Sequence, residues 1–212
     1  MSNDVKNVLK LSGTPEAKER IFNFIKNGEF LFDFNSIEKM PDSIENTVEG
    51  NISDDSYAIY MYEKRHDASK LQELKSFYGY SKISTADFIK LLKKRGASLD
   101  IGEKIYFNDI IYGCHTWYDW CKKNWGVKGN AYDTKKMNDT LIFYTPNCGV
   151  SVLITKLSVK FPYVTFEYSY SGDCSGYNCA KFSVKNGKLY NIVIPDEGTP
   201  EAEELSHEVF SI

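Results

Sequence analysis

Residues 163–172, YVTFEYSYSG, set Val164, Phe166, Tyr168 and Tyr170 against Thr165, Glu167 and Ser169 in strict alternation. A period of two belongs to a strand with one buried and one wetter face, not to a helix. A second signal follows in AKFSVKNGKLYNIVIP (180–195), where Asn186–Gly187 separates two alternating runs. Both residues tolerate the positive φ of a tight hairpin turn, so the pair is a strong short-range hairpin signal. An antiparallel sheet is therefore the constraint that the remaining elements must satisfy.

The chain opens on VKNVLKLSG (5–13), an alternating run closed by glycine, read as a short strand. GTPEAKERIFNFIKNG (13–28) then carries Thr14 as a cap, Pro15 at the first helical position and Ile21, Phe22 and Ile25 at helical spacing. FLFDFNSIEKMP (30–41) has phenylalanines on alternate positions and is expected to be partly extended. Residues 42–113 change period. SDDSYAIYMYEKR, ASKLQELKSFYG, STADFIKLLKKRG and SLDIGEKIYFNDIIYG each space apolar side chains as helices do, the last despite Gly102. Strands return with NDTLIFYTP (138–146). CGVSVLITKLSVKFP (148–162) fits both periods. It is read as a helix because Asn147 or Ser151 can cap it and Pro162 ends it.

This order, strand–helix–strand, helical stretch, strand–helix–strand, hairpin, predicts an α+β fold. The architecture expected is a ferredoxin-like βαβ-βαβ sandwich with an additional C-terminal hairpin and a mostly helical insertion. The expected domain is a single one over 1–195, with the insertion at about 42–126 and an acidic tail at 196–212. That tail holds six acids and no Lys or Arg, while residues 82–136 hold eleven Lys/Arg against six acids. GTPEAEELSHEVFSI within the tail spaces Leu205 and Val209 for one face of a short helix. No apolar run is long enough to span a membrane. The opening residues lack the basic-then-apolar order of a signal peptide, and an odd count of five cysteines suits reduced thiols, so a cytoplasmic protein is expected.

All three tryptophans fall within GCHTWYDWCKKNWG (113–126). Thr116 and Asp119 form a capping-box pattern and Gly126 a stop, so 117–125 is predicted to be a short helix. Each indole is large enough to pin one layer on another, and equally suited to anchor a partner. Cys114, His115 and Asp119 do not make a nucleophilic trio, since sequence neighbours rarely face each other. Cys174 and Cys179 lie outside the usual spacing of a zinc knuckle, and phosphate-binding glycine motifs are missing. His66 and His207 read as surface side chains. Catalytic residues, metal ligands and cofactors are accordingly expected to be none.

YGCHTWYDWCKKNWGVKGNAYD (112–133) resembles the signature of the YubB-like (Api92-like) family, proteins of plasmids, phages and other mobile elements of bacteria. NVLKLSG…RIFNFI, DFNSIEKMPDSI and FPYVTFEYSYSG resemble the same family, so the resemblance runs in patches over residues 7–172. Val127 and Gly129 stand where the family usually has Thr and Trp, which implies a different loop shape after the helix. The resemblance implies a ferredoxin-like domain and a mobile-element context, and no reaction. The expectation is an accessory protein acting as a non-catalytic protein-interaction or regulatory module. Its ligand- or partner-binding residues are taken as Trp117, Tyr118, Asp119, Trp120, Trp125, Lys128, Asn130 and Tyr132. Two alternatives are single-stranded nucleic-acid binding through the basic, aromatic segment 82–136, and an enzyme with a pocket between insertion and sheet. The expected partner is a protein, with nucleic acid second and no membrane. Oligomeric state is left open.

Overall fold

The structure is a computed structural model and describes residues 4–212. Residues 1–3, part of the stretch read for a leader, lie outside the described residues. The elements are β1 (Asp4–Ser12), α1 (Pro15–Ile25), α2 (Asp42–Glu45), α3 (Asn51–Arg65), α4 (Ser69–Phe77), α5 (Thr85–Lys94), α6 (Leu99–Tyr112), α7 (Trp117–Asn124), β2 (Tyr132–Met137), β3 (Thr140–Pro146), α8 (Ser151–Lys160), β4 (Thr165–Gly172), β5 (Ala180–Lys185), β6 (Lys188–Val193) and α9 (Pro200–Ser211). They divide into two compact units. One joins the segment up to Lys39 with Cys121–Ile212, and the other is Met40–Trp120.

The first unit is built on a six-stranded sheet in the order β2-β3-β1-β4-β5-β6, antiparallel at every pairing. The order β2-β3-β1-β4, with α1 after β1 and α8 after β3, is that of the ferredoxin-like sandwich, and β5–β6 is the added hairpin. Alternation divides each strand between two faces. Val5, Leu9 and Leu11 of β1 lie beside Leu141 and Phe143 of β3 and Phe166 and Tyr168 of β4. These side chains are buried, as are Ile21 and Ile25 of α1 and Leu153, Ile154 and Leu157 of α8. On the opposite face α9 packs over β1 and β4, burying Ala202, Leu205 and Val209 against Val8 and Cys179. The spacing of Leu205 and Val209 thus does form one side of a helix. Thr199 caps it and Pro200 opens it, as Thr14 and Pro15 do for α1.

Three local readings change. Residues 30–41 form no strand: Asp33 caps a single 3-10 turn over Phe34–Ser36. Phe32 and Phe34 are both buried, their rings 5.0 Å apart edge to face, so the alternating phenylalanines are folded inward by a turn. The second strand of the first βαβ half is β2, over a hundred residues later, which the sequence reading omitted. Four of its six residues are exposed, which erased its apolar signal; Asn138 at φ 52 makes the turn into β3. Third, α8 is helical without the expected side-chain cap. The Val150 N–H instead donates to the Tyr168 hydroxyl at 2.7 Å, and that hydroxyl donates to Asn7 Oδ1. The Asn186–Gly187 turn is as expected, with φ of 47 and 73.

The second unit is helical. Ile59, Leu71, Phe88, Ile89 and Leu92 are the largest members of its core. Ser84 caps α5 and Ser98 caps α6. Gly102 is what lets α6 cross α3. A Cβ there would stand 2.2 Å from the Ser56 carbonyl oxygen and 2.7 Å from Tyr60 Cβ, so α6 continues through the glycine because α3 demands it.

Candidate functional site

The tryptophan segment is distributed between anchoring roles. In the helical unit, the Asp119 carboxylate accepts from the Thr116 backbone N–H at 3.3 Å and from its hydroxyl at 3.2 Å, the expected back-reaching half of a capping box. The Trp117 N–H donates to Thr47 Oγ1 at 2.9 Å, and its half-buried ring meets Tyr118 edge to face at 6.0 Å. Trp120 is buried. The His115 ring packs on Tyr57, tilted by 43° at 4.7 Å, and its Nε2 lies 3.7 Å from Asp109, while Asp119 serves Thr116. The His115 and Asp119 side chains are thereby drawn to different neighbours. His115 also borders a cleft of about 190 Å³ with Asp54, Tyr57, Lys70 and Glu73.

In the sheet-bearing unit, Trp125 and Asn130 converge on the turn at 33–38. Trp125 packs edge to face on Phe34 at 5.6 Å, and its Nε1–H donates to the Glu38 carbonyl at 2.9 Å. Asn130 Oδ1 accepts from the Phe34 N–H at 2.9 Å, and its Nδ2 donates to Asp33 Oδ1 at 2.7 Å. Lys156 of α8 closes the same turn through Glu38 Oε2 at 3.2 Å. Asp33 is buried and also takes hydrogen bonds from the Asn27 amide at 2.7 Å and the Asn35 backbone at 3.0 Å. Burial alone would raise its carboxyl. The donors from Asn27, Asn130 and Asn35 outweigh that and hold it below the usual carboxylate range. Lys128 is half-buried in the loop between them.

Tyr132 stands apart from that knot. On β2 its hydroxyl donates to Asp4 Oδ1 and its ring lies 6.2 Å from Tyr144. Burial and the Asp4 carboxylate push its phenol far above the ordinary value, so it remains a donor. Burial also pushes the Cys121 thiol up to about 12, which keeps it protonated and unreactive at neutral pH. Among the described residues, no three His, Cys, Asp or Glu side chains group closely enough to hold a metal ion. No helix among them is long and apolar enough to cross a membrane.

An open apolar surface lies elsewhere, at the sheet edge, on residues that the sequence analysis did not single out. All six residues of β6 are exposed, and Leu189, Tyr190, Ile192 and Val193 are large apolar ones; Ile194 just beyond is 71% exposed. Geometry explains why. Six strands about 4.8 Å apart span roughly 24 Å. Two helices about 10 Å thick cover roughly 20 Å, and those here sit over the other strands. Val159 of α8, 56% exposed, borders the strip, since a Cβ on Gly187 would come within 3.0 Å of it. The sequence signal was present: KLYNIVI places apolar side chains at odd and even positions alike, which a strand with one wetted face would not do.

Known proteins are similar to part of the chain. Residues 124–212, from the end of α7 through α9, match the family model described as the ferredoxin-like domain in Api92-like protein. Among solved structures, the chain is similar to the protein Api92 from Yersinia pseudotuberculosis, with 12% sequence identity and a TM-score of 0.44, covering 94% of this chain and 100% of that one. No curated protein matches the chain.

Proposed function

We propose that this chain is a non-catalytic protein-interaction module that docks its partner along the β6 edge. The observation that carries this is the strip Leu189, Tyr190, Ile192, Val193 and Ile194, exposed on a strand whose outer side has no neighbouring strand among the described residues. An open, apolar edge is a template for another protein's backbone and side chains. Within the tryptophan segment, Trp125 and Asn130 serve this reading as a frame for the 33–38 turn, and Trp117 and Asp119 secure the start of α7. The helical residues 40–120 are read as an insertion between α1 and β2. The resemblance to mobile-element proteins makes an accessory factor the natural context, and five free thiols favour a reducing compartment such as the cytoplasm.

Nucleic-acid binding through 82–136 draws less support. Lys93 is paired with Glu63, Arg95 lies over the Tyr78 ring and Lys104 donates to the Asn46 carbonyl, so these cations are engaged within their own unit. The test is affinity capture from host lysate with the wild-type chain and with Leu189→Lys/Ile194→Lys. Proteins recovered by the first and lost with the second are expected. Equal recovery by both, in a chain that does not self-associate through β6, would remove β6 as the docking edge.

A further inference from the structure

We infer that the occupant of the β6 edge is a second copy of this chain, paired antiparallel about a two-fold axis; this rests on the reading of β6 as the docking edge. Three features of the strand carry it.

The first is the bulge. β6 pairs with β5 through Tyr190↔Ser183 and Val193↔Lys181, so two residues, Asn191 and Ile192, stand opposite Phe182 alone, and Asn191 takes φ 51. The bulge resets the alternation. Leu189 lies in register with Val184, on the α8 side, and Tyr190 with Ser183, on the α9 side. Beyond the bulge, Val193 in register with Lys181 is again on the α9 side, which puts Ile194 on the α8 side.

The second is self-complementarity. A two-fold midway between Asn191 and Ile192 sets Leu189 against the partner's Ile194 and Tyr190 against the partner's Val193. Both pairs then meet on matching faces, apolar against apolar. A two-fold one half-step away, centred on Asn191, would set Leu189 against the partner's Val193, which points to the other face. The bulge therefore excludes the half-step registers, and in the register centred between Asn191 and Ile192 the strip covers itself.

The third is charge. The turn end of the hairpin carries Lys185 and Lys188, directly opposite each other, and no ion pair is formed by either among the described residues. Like charges facing across a strand pair repel. The other end of the strip runs through Pro195 into Asp196 and Glu197. Antiparallel pairing brings each lysine end to the partner's acidic end, at both extremities of the contact.

Sedimentation velocity of the full chain from micromolar to several hundred micromolar is the test. A dimer is expected. Leu189→Lys/Ile194→Lys should raise its dissociation constant at least tenfold with unchanged circular dichroism, because the replaced side chains are exposed. Lys188→Glu should weaken the dimer, and Lys188→Glu with Asp196→Lys in the same chain should restore it. A wild-type chain that stays monomeric throughout, or a dimer indifferent to these substitutions, overturns the inference. If the wild type is monomeric while lysate capture still falls in the Leu189→Lys/Ile194→Lys variant, self-pairing is wrong and the edge reading survives. If a dimer forms through β6 while lysate capture is equal for both chains, self-pairing stands and a different docked partner is excluded.

Discussion

Asp33 is a buried carboxylate held by asparagines instead of a cation. Its ionised form is favoured in the folded chain, so it contributes stability above the ordinary carboxylate pKa of about 4. That contribution is lost as pH falls through the lower folded value. Asp33→Asn should therefore lower stability at neutral pH and flatten its decline in acid, read as urea midpoints against pH. Asn130→Ala removes a donor to Asp33 and an acceptor for the Phe34 N–H together. It should cost about 1–3 kcal/mol, the usual price of stranding buried polar groups. Both residues were visible in the sequence, Asn130 as a binding candidate. That they are partners, 97 positions apart, is a fact of packing that no spacing rule contains.

Helices announced themselves where caps and period agreed. Thr14 caps α1 as its pattern indicates, and Ser84 and Thr199 cap α5 and α9 in the same way, because a cap is satisfied by atoms two or three residues away. Elements whose signal depends on distant burial were harder: β2 carries little apolar pattern since most of its side chains face water, and the phenylalanines of 30–41 mimic a strand while forming a turn. Gly102 shows tertiary demand overriding propensity. In an isolated helix Gly→Ala gains about 1 kcal/mol. Here the methyl meets the α3 backbone at 2.2 Å, so Gly102→Ala should lower the stability of the helical unit by about 1–3 kcal/mol. Chemical denaturation followed by helix dichroism measures it, and a stabilised variant would show that the crossing is looser than described.

For the whole molecule, thiol accessibility reports both packing and compartment. Cys148 and Cys174 are exposed, and Cys114, Cys121 and Cys179 are buried. A thiol reagent under native, reducing-agent-free conditions should label the first two quickly and the other three only on unfolding. Rapid labelling of Cys121 in particular would contradict the burial that raises its pKa. The same contrast of inside and outside frames the working surface. The indoles of Trp120 and Trp125 are buried, while β6 keeps a run of large apolar side chains exposed along one strand.

The amino-acid sequence alone determined whatever is encoded over a few residues: the β5–β6 hairpin through Asn186–Gly187, the alternation of β4, the capped helices and the α+β order. Those depend on backbone torsions and on local hydrogen bonds, which neighbouring residues control. Only the tertiary structure decided which strand completes the first βαβ half, where the tryptophans go, and which strand is left without cover. Those depend on how many strands two helices can shield, a question of area and distance that is settled only when the sheet is assembled.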